Sequence, residues 1–145
     1  MRLMAILALG VVTTSLYAQE NARWIRKSSI SADGSSIVFA YQGDIYSVAS
    51  TGGIAKQITS NSAYDSDALW TADGKNVVFS SYREGSKDIW IVSAEGGKPR
   101  RLTSYPGAET PLFVSKDGQV YYSADIQADS KYNDLPWTSQ VYTVN

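Results

Sequence analysis

Three stretches of the chain share one order of polar turns and apolar strands. Each opens with an Asp-Gly pair, and a run of apolar residues typical of a β-strand follows each pair. Asp-Gly between two such runs favours a tight hairpin turn, because both residues tolerate positive φ. The pairs recur roughly every 40 residues, a period typical of repeats built from four strands. They are Asp33-Gly34, Asp73-Gly74 and Asp117-Gly118, and the apolar runs lie at 37–40, 77–80 and 120–123.

The rest of each repeat is strand-like as well. A second apolar block follows at 44–48, 88–92 and 140–144. In the first two repeats a Gly-Gly pair and a short strand ending in Thr then close the unit. No segment after residue 20 has a helical period. We predict blades at about 24–60, 61–104 and 105–145, with the third ending before its own Gly-Gly turn.

The apolar runs place hydrophobic side chains on both faces of their strands. Residues 37–39 and 77–79 are apolar without alternation, which is expected of a strand packed between two neighbouring sheets. The fold class we predict is all-β: a partial β-propeller of two complete four-stranded blades plus most of a third. Closed propellers have about four to eight blades. We therefore interpret the chain as a segment of a longer protein, with a small protein that assembles blades from several copies as the alternative.

The first 18 residues differ from the repeats and are typical of a signal peptide. Arg2 precedes an apolar run at 3–12, and Ala18 offers a cleavage site, although Leu16 stands where a small residue is usual. A membrane anchor is the alternative, but the run is shorter than the roughly 20 residues that a spanning helix needs. We expect export to the periplasm or cell envelope, with no membrane anchor after cleavage.

Composition excludes several kinds of chemistry. The 145 residues include no His and no Cys, so a Ser-His-Asp triad, an imidazole or thiolate metal site and a disulfide cannot form. The net charge of −1 gives no basic field for nucleic acid. We expect no catalytic residue, no metal and no cofactor in this chain, which on its own is not an enzyme.

The order of motifs resembles the propeller repeats of the TolB and tricorn protease group. The matching features are Ser31-Ala32-Asp33-Gly34, Ile/Val-Val-Phe, Asp-Ile-Tyr/Trp, Gly-Gly and Ile/Leu-Thr. The tracts 42–46 and 63–67 look most like exported tricorn-like peptidases. TolB itself carries an α/β domain ahead of its propeller, for which the sequence before Trp24 leaves no room.

This resemblance implies a non-catalytic propeller that serves a serine peptidase as a substrate gate or docking platform. The implied partners are the remaining blades and the peptidase domain of the parent chain, and a peptide or protein substrate. Two alternatives stay open. One is a TolB-like protein-binding propeller at the cell envelope, and the other is the propeller cap of a prolyl-oligopeptidase-type enzyme.

Several residues are candidates for a site. Asp65 and Asp67 suggest a calcium site, although turn capping is the simpler interpretation because too few ligands are visible. Asp44 and Asp88 suggest a carboxylate pair, but they recur at one position of the repeat, which favours a structural role. For the same reason packing is expected of the recurrent aromatic residues, which are Tyr46, Trp90 and Tyr142.

Two further segments contain residues that are candidates for a binding site. The short basic cluster is expected to be a solvated outer strand, and its members are Lys98, Arg100 and Arg101. Residues 125–138 form a polar insert that we predict to be a long loop between two strands of the third blade. Within it Tyr132, Pro136 and Trp137 are our tentative partner-contact residues, because loops that depart from a repeat often bind partners.

Overall fold

The computed structural model describes residues 24–125 and 139–145, and within them eleven strands form three antiparallel sheets. The first sheet holds β1 (Arg26–Ile30), β2 (Ser36–Tyr41), β3 (Asp44–Ala49) and β4 (Lys56–Gln57). The second holds β5 (Asp65–Trp70), β6 (Asn76–Ser81), β7 (Asp88–Ser93) and β8 (Arg100–Arg101). The third holds β9 (Glu109–Val114), β10 (Val120–Ala124) and β11 (Gln140–Val144).

The predicted fold class is confirmed. In every sheet each strand pairs with the strand next to it in sequence, as in the blades of a propeller. The signal peptide predicted at 1–18 lies outside the described residues, as does all but residue 125 of the predicted insert at 125–138. No helix long and apolar enough to cross a membrane is present in the part of the chain that the structure describes.

The Asp-Gly turns join antiparallel neighbouring strands, as predicted, and their two residues have different roles. Only the glycine has positive φ, which is 74° at Gly34, whereas Asp33 acts through its side chain. Its Oδ1 accepts hydrogen bonds from Ser31 Oγ at 2.6 Å and from the backbone N of Ser35 at 3.0 Å. These bonds hold the pKa of Asp33 down at about 2, with the Ser31 hydroxyl as the largest cause. Although both residues tolerate positive φ, only the glycine adopts it here, and the aspartate stabilises the turn as a hydrogen-bond acceptor.

The Gly-Gly pairs turn the chain into the outermost strand, as predicted. Both glycines of the first pair have positive φ, which is 90° at Gly52 and 125° at Gly53. L-residues rarely adopt such values, so glycine is the residue that fits there. The strand that follows is β4, where Gln57 pairs with Tyr46 of β3.

Strand β6 has two buried faces, as its unbroken apolar sequence predicts. Val77 and Phe79 lie in a core shared with Val38 and Ile45 of the first sheet. Val78 points to the opposite face and lies in a second core, shared with the third sheet. Successive residues of one strand therefore contribute to two different hydrophobic cores.

A repeated backbone hydrogen bond links each sheet to the next. The N–H of Asp65 donates to the carbonyl of Gly43 at 2.8 Å, and the N–H of Glu109 donates to the carbonyl of Lys87 at 2.7 Å. In both cases the first residue of a new sheet binds the residue just before the third strand of the preceding sheet. The repeat thus fixes how the sheets stack as well as how each sheet folds.

Candidate functional site

The first strands of the three sheets lie side by side and form one continuous surface. β1 contacts β5, and β5 contacts β9. We call this the inner-strand surface, since the corresponding strands of a closed propeller surround its central channel. It includes Lys27, Ile30, Asp67, Leu69, Leu112 and Phe113.

One part of the inner-strand surface is charged. Asp67 is buried and pairs with two lysines: Lys27, and Lys87 at 2.8 Å. Lys87 also donates to Thr110 Oγ1 at 2.9 Å. Burial by itself would raise the pKa of Asp67, but hydrogen bonds from Lys27, Lys87 and Ser66 outweigh it and hold that pKa below its usual value. The carboxylate therefore stays ionised and links the first sheet to the second, and Lys87 extends the contact to Thr110 of the third sheet.

A backbone irregularity orients this cluster. The pairing of β5 with β6 shifts between Ser66 and Leu69, and Asp67 within that shift has a φ of 56°. Lys27 lies in the matching irregularity of β1 and has a φ of 39°. β-Bulges redirect side chains and occur often at functional sites. Here the two bulges bring oppositely charged side chains from neighbouring sheets together.

The other part of the surface is apolar. A groove of about 430 Å³ runs across the three sheets between Ile30, Leu69, Leu112 and Phe113. A second cavity of about 270 Å³ extends from Leu112 towards the charged cluster at Asp67. Ile30, Leu112 and Phe113 are all exposed. The surface therefore combines apolar contact area with a few fixed charges, which is the composition of a binding groove.

Two buried acids lie between the sheets, away from this surface. Asp65 is fully buried and pairs with Arg83 at 2.6 Å, and the Arg83 guanidinium lies over the rings of Phe79 and Trp90. Glu109 is buried as well and accepts a short hydrogen bond from Thr103 Oγ1.

Glu109 has an unusual electrostatic environment. Burial is the main cause that raises the pKa of Glu109 above its usual value, and the nearby charge of Asp88 raises it further. The Thr103 hydroxyl and the Arg101 guanidinium act in the opposite direction but do not reverse the shift. Since Glu109 faces a threonine and the paired Asp88–Arg101 rather than an open cavity, we assign it a structural role.

The structure separates the predicted acidic pair at Asp65 and Asp67. Both lie within strand β5 rather than capping a turn, and each is neutralised by its own basic partners. The turn-capping interpretation was therefore wrong. No group of three acidic, His or Cys side chains suited to a metal ion occurs in residues 24–125 and 139–145.

Asp44 and Asp88 hold equivalent positions in their repeats, as predicted, and each binds a side chain of the outermost strand of its sheet. Asp44 accepts from Gln57 Nε2 at 3.0 Å, whereas Asp88 pairs with Arg101 at 2.8 Å. Gln57 and Arg101 hold matching positions opposite Tyr46 and Trp90. Arg101 is thus bound to a buried carboxylate, and its predicted role as a solvated residue was wrong.

The remaining candidates fall into two groups. The recurrent aromatic residues pack as predicted: Trp90 lies in a core, Tyr46 stacks on Phe39 and Tyr142 lies against Tyr122. Lys98 and Arg100 are exposed. The tentative partner-contact residues, which are Tyr132, Pro136 and Trp137, lie outside the described residues.

Comparison with known families identifies the domain. Residues 22–145 match the family described as the tricorn protease N-terminal beta propeller domain. The chain belongs to this family. The match covers all three sheets, so the predicted resemblance to tricorn-type propeller repeats is confirmed.

Individual relatives agree with this assignment. The chain is 32% identical over 138 residues to the "Uncharacterized peptidase YuxL" of Bacillus subtilis, covering 93% of this chain and 20% of the relative. It is 29% identical over 91 residues to "Dipeptidyl-peptidase 5" of Porphyromonas endodontalis, covering 62% of this chain and 13% of the relative. The chain therefore spans a fifth or less of these two relatives.

A solved structure has the same fold. The putative TolB from Agrobacterium tumefaciens superimposes with a TM-score of 0.67 at 23% identity, covering 84% of this chain and 47% of that protein. At that identity the likeness establishes the propeller fold alone.

Proposed function

We propose that this chain is the non-catalytic propeller segment of an exported, tricorn-like serine peptidase, in which it acts as a substrate gate or docking platform. The observation that carries the proposal is the family match over residues 22–145, together with two relatives that are named as peptidases. Export is supported by the signal-like pattern of the first 18 residues. Nucleophile and base would lie in a separate peptidase domain, because the chain has neither His nor Cys.

The inner-strand surface is the part of the propeller that would contact a substrate. Its apolar groove suits extended polypeptide, which presents alternating apolar side chains. The paired charges at Lys27, Asp67 and Lys87 lie beside the groove and would orient the polar backbone. A central channel lined by this groove would admit unfolded chains more readily than folded proteins.

A peptidase assay on the full-length protein tests the gating role. Leu112 lines both the groove and the second cavity, so Leu112→Trp should narrow the space on the inner-strand surface that a substrate would cross. We expect kcat/KM to fall several-fold for an unfolded protein substrate and to stay unchanged for a short chromogenic peptide. Ile54→Trp is the matched control, because Ile54 is 99% exposed in an outer turn and should alter neither rate. Equal effects of Leu112→Trp on both substrates would exclude the gate.

A second candidate is the propeller cap of a prolyl-oligopeptidase-type enzyme, which the likeness to a dipeptidyl-peptidase favours. Sequencing the complete gene separates the candidates. A PDZ segment followed by a serine peptidase domain supports the tricorn type, whereas a Gly-x-Ser-x-Gly motif in an α/β-hydrolase domain supports the oligopeptidase type. A gene with neither would contradict both and leave a TolB-like binding role. Peptide hydrolysis by the pure 145-residue chain would contradict its non-catalytic assignment.

A further inference from the structure

A small pocket lies between β1 and β5, at the junction of the first and second sheets. It has a volume of about 190 Å³ and is lined by Arg26, Lys27, Tyr64, Ser66 and Asp67. We call it the junction pocket. Its walls come from β1, from β5 and from the residue that precedes β5, so both sides of the pocket belong to described sheets. The volume is several times the roughly 30 Å³ that one water occupies, so a side chain can enter the pocket.

Irregular backbone on both sides shapes the junction pocket. The pairing of β1 with β2 and the pairing of β5 with β6 both shift register at residues that line it. Gly43 has a φ of 91° and lies beside the Tyr64 ring, since an added Cβ at Gly43 would come within 3.3 Å of Tyr64 Cδ2. The ring therefore packs against the backbone of Gly43 and remains 48% exposed. Its hydroxyl is a hydrogen-bond donor at the pocket.

Cations outnumber carboxylates at the junction pocket. Lys27 and Lys87 both bind Asp67, whose single negative charge can neutralise only one of them. Arg26 is exposed and forms no ion pair with another residue that the structure describes. Three cations therefore surround one carboxylate.

The acids close to the pocket in sequence bind other groups. Asp65 pairs with Arg83 at 2.6 Å, and Asp44 accepts from Gln57 Nε2 at 3.0 Å. Neither of these acids lines the pocket. The junction pocket therefore has a net positive charge, which favours an anionic group.

The junction pocket adjoins the second cavity of the inner-strand surface. Lys27 and Asp67 line both, and the second cavity continues to Leu69 and Leu112. In an extended polypeptide, side chains two residues apart lie on the same face, about 7 Å from each other. An extended polypeptide on this surface can therefore place one side chain in the junction pocket and the next side chain of that face against Leu112.

We propose that the junction pocket recognises an acidic side chain of an extended polypeptide, with an apolar side chain two residues away in the second cavity. Arg26 and Lys27 bind the carboxylate through charge-assisted hydrogen bonds, and the Tyr64 hydroxyl donates a further one. Asp67 holds Lys27 in position. This inference rests on the proposed function, because the polypeptide is the substrate of the parent peptidase, and it adds a preference among unfolded chains.

Peptide binding to the full-length protein, measured by isothermal titration calorimetry, tests the proposal. The probes are the N-acetylated, C-terminally amidated peptide Leu-Ser-Glu-Ser-Leu and the same peptide with Gln in place of Glu. A sulfonyl fluoride that modifies the nucleophile of serine peptidases prevents hydrolysis. The Glu peptide should bind at least about fivefold more tightly, because charge-assisted hydrogen bonds are stronger than neutral ones. About 1 M NaCl should reduce this preference by screening the charges. Equal affinities, or no binding of either peptide, would overturn the proposal.

Variants of Arg26 connect the preference to the pocket. Arg26→Gln should lose most of the preference for Glu. Arg100→Gln is the matched control, because it removes the same charge from an exposed arginine in β8, the outermost strand of the second sheet, and should leave the preference unchanged. Arg26→Glu should bind the corresponding Lys peptide more tightly than wild type does, a gain that an unfolded protein cannot show. An Arg26→Gln protein that keeps the full preference would contradict the assignment.

A third peptide distinguishes a side-chain carboxylate from the end of a chain. The Gln peptide with a free C-terminal carboxylate should bind no more tightly than its amide. If it binds as tightly as the Glu peptide, the pocket recognises a chain end and the proposal is overturned. Hydrolysis is a separate measurement: preferential binding of the Glu peptide by a protein that cleaves no peptide would refute the peptidase role while supporting the pocket.

Discussion

Thr103 connects the backbone of the second sheet to the buried acid of the third. Its Oγ1 accepts from the N–H of Ile89 at 2.9 Å and donates to Glu109. Thr103→Val keeps the shape of the side chain but leaves both of these groups without that partner. Each buried group left unsatisfied costs about 1–3 kcal/mol, so with two such groups we expect a loss of about 2–6 kcal/mol in the free energy of unfolding. Urea unfolding followed by tryptophan fluorescence measures this loss.

Thr59 supplies a matched control from the preceding repeat. Its Oγ1 accepts from the N–H of Ile45 at 2.9 Å, but the acid at the next junction, Asp65, is held by Arg83 instead. Thr59→Val therefore leaves a single group unsatisfied and should cost about 1–3 kcal/mol. The difference between the losses in the free energy of unfolding of Thr103→Val and Thr59→Val is the contribution of the hydrogen bond from Thr103 to Glu109.

The pH dependence identifies Glu109 as the source of that excess. Burial raises the pKa of Glu109 in the folded state above its value in the unfolded chain. Ionisation of Glu109 therefore lowers the free energy of unfolding. This loss is complete at pH values above the pKa of the folded state and absent at pH values below the pKa of the unfolded chain. The hydrogen bond from the Thr103 hydroxyl lowers the pKa of Glu109. Removing that hydroxyl therefore raises the pKa of Glu109 further. The Thr103→Val penalty should thus be largest at neutral pH and shrink in acid, while the Thr59→Val penalty changes less. Equal penalties for the two variants at every pH would refute this reasoning.

Three further predictions concern stability and use the same unfolding assay. Phe79→Ala should cost about 3–5 kcal/mol, because the ring is fully buried between two sheets, whereas Ile54→Ala should change stability by less than about 0.5 kcal/mol. Arg83→Met should cost about 3–5 kcal/mol by leaving the buried Asp65 unpaired, and Asp65→Asn in the same chain should restore much of that loss; no restoration would contradict a role through charge. Gly34→Ala should cost about 1–2 kcal/mol from its φ of 74° alone, since no atom lies within 4 Å of an added Cβ; a neutral result would contradict that turn conformation.

The local features could be predicted from the sequence because each depends on neighbouring residues. Apolar residues on both faces of 77–79 indicate a strand packed on two sides, and β6 has that packing. The Gly-Gly pairs indicate the turn into the outermost strand, where φ is positive at both glycines. The recurrence of Asp44 and Asp88 at one position of the repeat indicates a structural role, which their bonds to the outermost strand confirm.

The site residues could not be found in the same way. The bulges at Lys27 and Asp67 carry no Gly or Pro to mark them, so sequence gave no sign that these side chains meet. Glu109 is a lone acid in the sequence, and its burial depends on Thr103 and on the sheet stacked beside it. A signal was available for Asp65 and Asp67, which form an acidic pair in the sequence, and for Thr59 and Thr103, which recur at the end of the first two repeats.

The sequence by itself determined the repeat, the strands, the turn residues and the absence of His and Cys chemistry. Strand pairing within a sheet follows from segments close together in the chain, so apolar period and turn type suffice to specify it. Only the tertiary structure decided which side chains of different sheets meet. Lys27 and Asp67 are brought together by stacking of separate sheets, and so are the walls of the apolar groove. Such contacts depend on the angle and spacing between sheets, which packing sets and no local pattern of residues encodes.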